Sequence, residues 1–291
     1  MSERAPQVSV LVTNHNHGRF LSECLRSVQA QTLSDLEIVV VDDGSADESR
    51  DVIAELVPED ARIVPILQQN AGQAAALNRA WARARGEVVC FLDSDDFWYP
   101  TKVARVVDAL AADDSLSLVQ HNHDVVDARS ERTGRRYPGC RDHPSVLEAI
   151  FREGHLGFFS TTSGLACPRR VLERVFPLDP RFRLCADVAL CVPLAAFGRV
   201  RTLSAALGAY RIHDANHWMG RVGVADRLAQ REREIDYANE VLVRLGETRQ
   251  IDFRASGTYR HLRRLGLPLW HPLRGWAETQ KRWWDRQAGR S

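Results

Sequence analysis

Short runs of buried-type residues alternate with helical patterns along the first hundred residues of the chain. The apolar runs "VSVLV" (Val8–Val12), "EIVVVDD", "RIVPIL" and "EVVCFLD" are typical of parallel strands buried on both faces. After the first run, apolar residues at helical spacing predict one core-facing stripe: Phe20, Leu21, Cys24, Leu25 and Val28. This alternation of strands and helices predicts an α/β fold with a doubly wound, mainly parallel sheet flanked by helices.

Two of the helices between these strands carry signals for their ends. "SADESRDVIAEL" predicts a helix whose N-cap is Ser45 or Asp47, because short polar side chains accept hydrogen bonds from the first free N–H groups. "GQAAALNRAWARARG" predicts an alanine-rich helix closed by Gly86 at its C-terminal end.

From about residue 111 the pattern is less regular. "LSLVQHNHDVVDA" predicts a strand, and "ERTGRRYPGCRDHP" an exposed, basic loop. Helices are predicted for "PSVLEAIFREG", "CPRRVLERVF" and "CADVALCVPLAAFG", the last buried because it is apolar nearly all round. "DRLAQREREIDYANEVLVRLG" predicts an amphipathic helix. We divide the chain into 1–110, 111–217 and a C-terminal helical extension over 218–291.

Composition narrows the class of protein. A hydrophobic fraction of 44% and a charged fraction of 26% are those of a folded protein. A net charge of +1 gives no reason to expect nucleic acid as the main partner. Six dispersed cysteines without a C-x-x-C pair, and an N-terminus without an apolar signal region, favour a cytoplasmic protein with reduced thiols that neither is secreted nor spans a membrane.

Acids and amides follow all four predicted strands. In open α/β sheets ligands bind beyond the carboxyl ends of the strands, so these side chains are expected on one edge. The alternative for each residue is a turn or helix-cap role, which Asn, Asp and Ser often have. The residues at this edge are Thr13, Asn14, Asn16, Asp42, Asp43, Asn70, Asp93, Ser94, Asp95 and Asp96.

Three carboxylates within "DSDD" (Asp93–Asp96) raise one another's pKa unless a cation neutralises them. Oxygen ligands suit a hard divalent ion, Mg²⁺ or Mn²⁺, in an open site completed by waters and substrate phosphates. The chain has neither a G-x-x-x-x-G-K-[ST] loop nor a G-x-G-x-x-G turn after the first strand. We therefore expect a nucleoside diphosphate to be held through metal and not through a glycine cradle.

Four segments, in order and spacing, resemble the inverting family-two glycosyltransferases of GT-A fold, over roughly residues 6 to 215. They are "VSVLVTNHNHGRFLSECLRSVQAQT", "EIVVVDDGSADES", "QNAGQAAALNRAWARARGEVVCFLDSDDFWYP" and "CADVALCVPLAAFG…YRIH". The resemblance implies a hexosyltransferase-type enzyme with a nucleoside-diphosphate-sugar donor, UDP favoured, and a hydroxyl acceptor on a glycan or lipid-linked molecule. Residues 1–110 are then the donor-binding half and 111–217 the acceptor-binding half of one GT-A domain.

The resemblance also implies roles for single residues. Thr13 lies against the nucleotide base, which Asp43 hydrogen-bonds while Asp42 supports the turn. Asp95 is the direct metal ligand of the D-x-D motif, and Asp93 and Ser94 approach the ribose and the waters around the ion. Further donor contacts come from the loops and the helix near the donor: Asn14, Asn16, Asn70, Gly72 and Asn78.

The second half supplies the remaining roles that the resemblance implies. Asp187 is the base that deprotonates the acceptor hydroxyl; its alternative role is the N-cap of its helix. Relatives have an acid before it, where this chain has Ala186. In "YRIH", His213 or Arg211 touches diphosphate or metal. The metal-ligand candidates are therefore Asp95 and Asp93 of the D-x-D motif and His213. At the first strand, Thr13-Asn14-His15-Asn16 replaces the relatives' Pro-Thr-Tyr-Asn, so the nucleoside stays open among UDP, GDP and dTDP.

Two further features suggest partners. His121, His123 and Asp124 in "QHNHD" are interpreted as a wall of the acceptor pocket. From Thr258 to Ser291 there are eight Lys or Arg against two acids, with four of the seven tryptophans. Tryptophan beside arginine suits a membrane headgroup layer, so one hypothesis is peripheral contact at the inner membrane face. The alternative is a helix that packs on the catalytic body or on a second subunit of a homo-oligomer.

Two other functions stay open at this point. A sugar nucleotidyltransferase also uses an α/β sheet and Mg²⁺, but would have a glycine-rich, basic phosphate loop after the first strand, where this chain has Arg19 alone. A catalytically weak partner subunit that only binds sugar nucleotide is suggested by Ala186, and the intact acids argue against it.

Overall fold

A mixed sheet forms the centre of the chain's first compact unit, which holds residues 1–146 and 157–213. The computed structural model describes residues 4–214, 216 and 224–256, so the predicted Trp- and Arg-rich tail lies outside the described residues. Both predicted halves, 1–110 and 111–217 up to His213, belong to this unit except for residues 147–156. Its strands are β1 (Val8–Asn14), β2 (Leu36–Asp43), β3 (Ile63–Gln68), β4 (Val88–Asp93), β5 (Phe97–Trp98), β6 (Leu116–Val126), β7 (Arg132–Tyr137), β8 (Leu165–Pro168) and β9 (Arg199–Arg211).

Within the described residues the sheet has the order β3-β2-β1-β4-β8-β6-β9-β5, and β7 pairs with β6. The first four strands run parallel, while β8 is antiparallel to both β4 and β6. The α/β class with a mainly parallel, doubly wound half is therefore confirmed, and its parallel strands end at one edge.

The helices pack their apolar stripes on this sheet. In α1 every residue of the predicted stripe is buried, and all eight residues of β2 are buried. Fully burying a Val, Leu, Ile or Phe side chain contributes about 1.5–3 kcal/mol, so this layer accounts for a large part of the folding free energy. The helices of the first unit are α1 (Gly18–Gln29), α2 (Ser49–Leu56), α3 (Gln73–Arg83), α4 (Lys102–Ala111), α6 (Arg169–Leu172) and α7 (Asp187–Phe197).

Two predictions for the second half are wrong. The predicted exposed loop contains β7, which pairs antiparallel with β6, for example Asp124 with Arg136. An edge strand needs no apolar run, and its exposed arginines face Asp124, 3.6 Å from Arg132 and 3.5 Å from Arg136. The helix predicted for "CPRRVLERVF" is a single turn, α6, because Cys167 and Pro168 belong to β8.

The predicted helix signals near the parallel strands have other functions. Glu48, and neither Ser45 nor Asp47, occupies the N-cap position of α2. The Asp47 carboxylate accepts from the N–H of Ser49, the first residue of this helix, at 3.0 Å and from the N–H of Gly18 at 2.9 Å. Helix α3 ends at Arg83, before Gly86. A Cβ at Gly86 would lie 2.3 Å from the backbone nitrogen of Ser9, so glycine is needed there for close approach to β1.

The second compact unit holds residues 147–156 and the described chain from Asp214 onward. It contains α5 (Val146–Glu153) and α8 (Val224–Arg244), the helix predicted for the C-terminal extension. Asn239 of α8 bonds reciprocally with the backbone of Ile251, at 3.1 and 2.7 Å. No helix among the described residues has the length and apolar character needed to cross a membrane.

Candidate active site

The polar ends of β1, β2 and β4 meet at one edge of the sheet, here called the rim. Asn14 lies opposite Asp42 in the register of β1 and β2, and Thr13 lies opposite Asp93 in the register of β1 and β4. The structure therefore brings these predicted site residues together. Their hydrogen bonds show that they have different structural roles.

Asn14 and Asp42 hold the loops after β1 and β2 together. The Asn14 amide donates to the Asp42 carboxylate at 2.9 Å and to the Ser45 hydroxyl at 3.1 Å. Burial acts to raise the pKa of Asp42, but hydrogen bonds from Ser45, Asn14 and Arg50 outweigh it and lower the pKa, so the carboxylate stays charged. Asn16, at a φ of 57°, donates its N–H to Ser45 at 2.9 Å. Donor contacts of Asn14, Asn16 and Asp42 stay predictions.

Asp43 organises the loop that follows β3. Its two carboxylate oxygens accept from the N–H groups of Ala71 and Gly72, both at 2.8 Å. Gly72 has a φ of 93°, and a Cβ there would lie 2.6 Å from the Cα of Arg183, so only glycine fits. The guanidinium of Arg183 donates to the Asn70 side chain. The predicted donor residues Asp43, Asn70 and Gly72 thus form one hydrogen-bonded loop at the rim.

Asn78, another predicted donor contact, bonds to a distant backbone segment. Its amide donates to the carbonyl of Leu178 at 2.9 Å, and its carbonyl accepts from the N–H of Leu178 at 2.7 Å. This pair ties α3 to the chain that leads into α7. The observed role of Asn78 is to hold that segment, and its donor contact stays a prediction.

Gln73, which the sequence did not single out, joins the two halves of the site. Its amide donates to the Asp93 carboxylate at 3.0 Å, and its carbonyl accepts from the N–H of Ala186 at 3.0 Å. Ala186 directly precedes Asp187, so one side chain spans the D-x-D motif and the start of α7. No local pattern marks such a residue, because the contact depends on a partner more than a hundred positions away.

Replacing Gln73 with alanine should lower kcat of sugar transfer about tenfold, because α7 and Asp93 lose their shared partner and a misplaced reacting group reacts more slowly. The measurement is steady-state kinetics on the purified full chain. Gln7→Ala is the control, because that glutamine is exposed and precedes the amino end of β1, opposite the rim. Equal kcat in both variants would show that the bridge does not position the site.

Asp93 and Asp96 lie in environments that oppose a negative charge. Asp96 is 1% exposed and bonds to the Ser163 hydroxyl at 2.6 Å. Burial raises its pKa well above the usual range, and the charges of Asp95 and Asp93 raise it further. Burial, then the charges of Asp95 and Asp187, raise the pKa of Asp93 to about 8. Protonation therefore relieves part of the repulsion within this acidic segment.

Asp95 keeps its charge because two histidines face it. Its carboxylate lies 3.0 Å from Nε2 of His213. Burial acts to raise the pKa of Asp95, but the His213 hydrogen bond and the charges of His17 and His213 outweigh it, so the pKa is lowered. One ligand atom from each of His17, Asp95 and His213 lies within 4.8 Å of the others.

This three-residue group, here called the His–Asp–His cluster, has donors that fit a divalent ion. Such an ion requires a deprotonated carboxylate and neutral imidazoles. Before an ion binds, the histidine charges keep Asp95 deprotonated, and burial, which lowers the pKa of His17, makes it easier for that ring to lose its proton to a metal ion. Of the predicted ligands, Asp95 and His213 belong to the cluster. Asp93 does not, since its carboxylate bonds to Gln73.

Ser94, the middle residue of the motif, is 1% exposed. Its N–H donates to the carbonyl of Thr13 at 3.3 Å, and its hydroxyl lies 3.2 Å from Nδ1 of His17. Its predicted approach to a donor ribose stays untested. The observed contact is with the histidine of the cluster.

Arg211 lies next to the cluster and is 1% exposed. Its guanidinium donates to the carbonyl of Asp95 at 2.7 Å, to the Ser130 hydroxyl at 2.8 Å and to the Glu23 carboxylate at 2.6 Å. It also lies 4.6 Å from the centre of the Phe20 ring. With these contacts Arg211 positions the Asp95 backbone, which is a supporting role different from the predicted contact with diphosphate or metal.

Asp187 is the first residue of α7, and Ala186 occupies the N-cap position. The alternative role of Asp187 as the N-cap residue is therefore not what the structure shows. Its side chain is half-buried, and its charge is one of those that raise the pKa of Asp93. Two carboxyl groups from opposite halves of the sequence thus lie within electrostatic range at the rim.

The predicted acceptor-pocket wall is wrong for its two histidines. His121 and His123, both residues of β6, are 0% exposed, and their ring centres lie 4.7 Å apart in the core. Alternate residues of a strand share a face, and here that face is packed inside the protein. Asp124 points the other way and accepts from the Tyr99 hydroxyl at 2.9 Å.

Sequence comparison with known proteins identifies the family. The family model described as glycosyl transferase family 2 matches residues 9–176. An uncharacterized glycosyltransferase of Nostoc sp. is 38% identical over 278 residues, which cover 93% of this chain and 86% of the relative. Chondroitin synthase of Escherichia coli is 32% identical over 135 residues, covering 46% of this chain and 20% of that protein.

Solved structures share the fold. Staphylococcus aureus TarS 1–349 in complex with UDP-GlcNAc has a TM-score of 0.58 at 18% identity, covering 81% of this chain and 73% of that chain. The Pyrobaculum calidifontis mannosyltransferase PcManGT, in complex with GDP-Man and Mn²⁺, also has a TM-score of 0.58 at 18% identity, covering 96% of this chain and 85% of that chain.

The fold is the one that these GT-A glycosyltransferase structures share. By the family match and the identity to the Nostoc relative, the chain belongs to glycosyl transferase family 2.

Proposed function

We propose that the chain moves a sugar from a nucleoside-diphosphate-sugar, with UDP favoured, to a hydroxyl of a glycan or lipid-linked acceptor. The transfer inverts the anomeric carbon and depends on Mg²⁺ or Mn²⁺. The observation that carries the proposal is the convergence at the rim of a charged Asp95 with two histidines and, from the other half of the chain, Asp187.

Support for the donor class comes from the loops at the rim. The hydrogen-bonded loops after β1, β2 and β3 surround the ends of the parallel strands, where α/β folds bind nucleotides. TarS and PcManGT, which share the fold, have been solved with UDP-GlcNAc and with GDP-Man. Thr13 and Asp43 are the residues that we assign to the nucleotide.

Asp95 and His213 would hold the metal ion. When bound, such an ion neutralises the diphosphate leaving group. Two arginines contact these metal ligands. Arg211 donates to the backbone carbonyl of Asp95, and Arg19 lies 3.3 Å from Nδ1 of His213, on the side of the ring away from Asp95. Mn²⁺ in the PcManGT complex favours a divalent ion without deciding between Mg²⁺ and Mn²⁺.

Asp187 would act as the general base. Inversion in one displacement requires that the acceptor hydroxyl lose its proton as it attacks the anomeric carbon from the face opposite the leaving group. A carboxylate at the first turn of α7 can accept that proton, and Gln73 holds the residue beside it. Ala186 in place of a second acid leaves Asp187 as the acid that opens this helix.

For the acceptor we propose only a chemical class, which rests on the names of similar proteins. Similar proteins include chondroitin synthase and a protein named for teichuronic acid biosynthesis, TuaG of Bacillus subtilis, so a polysaccharide or its lipid-linked precursor is the class we favour. A cytoplasmic enzyme that contacts the inner membrane face would meet such an acceptor. Whether the tail serves this contact or a homo-oligomer lies outside the described residues.

The test compares donors and metals on the wild type and on Asp95→Ala. We expect one nucleoside-diphosphate-sugar, UDP-linked, to raise Tm only when Mn²⁺ or Mg²⁺ is present, and Asp95→Ala to abolish this metal-dependent shift and the slow hydrolysis of the donor. The reason is that Asp95 is the charged oxygen ligand of the cluster. The measurements are thermal unfolding and release of free nucleoside diphosphate.

Asp114→Ala is the matched control, because that aspartate is exposed and lies away from the rim in the turn before β6. A nucleotidyltransferase would instead release pyrophosphate from a nucleoside triphosphate and a sugar phosphate. A binding subunit would show the metal-dependent shift without any turnover. Full metal-dependent turnover in Asp95→Ala would show that the assigned ligand is wrong.

A further inference from the structure

We propose that His17 is a third protein ligand of the metal ion, and that the resulting set of two imidazoles and one carboxylate makes the site prefer Mn²⁺ and Co²⁺ over Mg²⁺. The inference rests on the proposed metal-dependent function and adds a residue and a metal preference to it. The predicted ligand set, Asp95 with Asp93 and His213, contains one imidazole.

The geometry of the cluster carries the first step. One ligand atom each from His17, Asp95 and His213 lies within 4.8 Å of the other two. Ligands bonded at about 2.1 Å to a common ion lie about 3 to 4.2 Å apart, so small movements of these side chains would bring all three atoms onto one ion. Among the described residues, no other group of three His, Cys, Asp or Glu side chains meets this criterion.

The fold holds His17 in place from both sides. It precedes α1, and its carbonyl accepts from the N–H of Phe20 at 2.9 Å and of Leu21 at 3.0 Å. A Cβ at Gly18 would lie 2.7 Å from the backbone nitrogen of Ser49, so α1 begins in close contact with α2. The His17 ring packs edge-on to His213 at 5.4 Å. The backbone of α1 therefore fixes the Cα of His17, and the ring packs beside His213 of the cluster.

Ser94 supplies the orienting partner that a metal-bound histidine usually has. Its buried hydroxyl lies 3.2 Å from Nδ1 of His17, which leaves Nε2 of the same ring for the ion. Such second partners fix the tautomer and the orientation of the ring. The middle residue of the D-x-D motif would thus act on the metal through His17.

Ligand chemistry then gives the preference. Mg²⁺ favours oxygen ligands, whereas imidazole suits first-row transition metals. A site with Asp95 and two histidines offers two nitrogens to one carboxylate, and affinity should follow the order Mg²⁺ weakest, then Mn²⁺, then Co²⁺. Removing one nitrogen ligand should reduce the difference in affinity between these ions, chiefly because Mn²⁺ and Co²⁺ would bind more weakly.

The test measures metal binding directly on the full chain after removal of bound metal with a chelator. Mg²⁺, Mn²⁺ and Co²⁺ are titrated with Tm as the readout, and Co²⁺ also by its visible absorption bands, which report the number of nitrogen ligands. The variants are wild type, His17→Asn, His17→Gln and Ser94→Ala. His15→Asn is the matched control, because this histidine of the same loop is exposed and lies outside the cluster.

We expect His17→Asn and His17→Gln to bind Co²⁺ and Mn²⁺ at least tenfold more weakly than the wild type and to show shifted Co²⁺ absorption bands. The affinity of these variants for Mg²⁺ should change less than threefold. His15→Asn should match the wild type. Ser94→Ala should give an intermediate loss. If the wild type binds these ions and both His17 variants keep its affinities and spectrum, the inference is overturned while the proposed function stands. If the wild type binds none of the three ions, the metal part of the proposed function fails as well. Far-UV circular dichroism identifies a misfolded variant, and the second His17 variant then decides.

Discussion

Asp187→Asn is expected to lower kcat by 100- to 10,000-fold and to leave donor binding nearly unchanged. Positioned general bases contribute rate factors of this size, and an asparagine amide cannot accept the proton of the acceptor hydroxyl. Asn has the shape of Asp, and the N-cap position of α7 belongs to Ala186, so the helix should keep its start. Donor affinity should persist because the loops after β1, β2 and β3 do not include Asp187.

The measurement combines transfer kinetics with metal-dependent thermal shifts by the donor. Glu173→Gln is the control, since that acid is exposed in the turn after α6. A kcat within a few-fold of wild type would remove Asp187 as the base. Loss of the donor-induced shift would instead show that Asp187 acts through the structure of the rim.

The parallel half of the fold could be predicted because its signals are local. A strand buried on both faces needs a continuous apolar run, and a helix on that sheet needs one apolar stripe, as the buried positions of β2 and α1 confirm. Strand β7 gave no such signal, because an edge strand is stabilised by its backbone hydrogen bonds to β6 and exposes its arginines. Polar composition there indicated a loop.

The site was predictable in its position and less so in its individual roles. Acids at strand ends indicated the rim, but sequence alone could not distinguish Asp95, which stays charged, from Asp96, whose burial raises its pKa. His17 and Gln73 were missed for a related reason. Each acts on a partner at least 78 positions away (Asp95 for His17, Ala186 for Gln73), and no short spacing encodes such a contact.

His121 and His123 indicate a second large effect, on stability in acid. Burial lowers the pKa of His123 to about 4 and that of His121 well below its usual value. Hydrogen bonds with the backbone of Ser163 and Tyr137 raise the pKa of His123, but burial lowers it by more. The charged groups that act on this pair are the buried Lys102, which lowers both pKa values, and Asp124, which raises that of His123 less than burial lowers it.

The sign of the effect follows from proton linkage. A histidine with a lowered pKa in the folded state binds its proton more readily when unfolded, so folding stability is full above the unfolded value near 6.5 and falls as the pH drops towards about 4. The difference between the unfolded and folded pKa values of His123 corresponds to a loss of about 3 kcal/mol in the free energy of unfolding at pH values below 4. That is a large share of the stability of an ordinary domain.

His123→Gln should therefore remove part of the acid sensitivity. We expect the free energy of unfolding, measured by urea denaturation, to fall less between pH 7 and pH 4.5 in the variant than in the wild type. The difference in free energy of unfolding between the two proteins should shrink to zero, or change sign, as the pH drops, because glutamine does not titrate. Val125→Ala is the control: it removes buried apolar volume from the same strand without removing a titrating group, so its loss of stability should be nearly the same at each pH. A constant difference between His123→Gln and wild type across this range would mean that His123 is not among the groups whose protonation unfolds the protein.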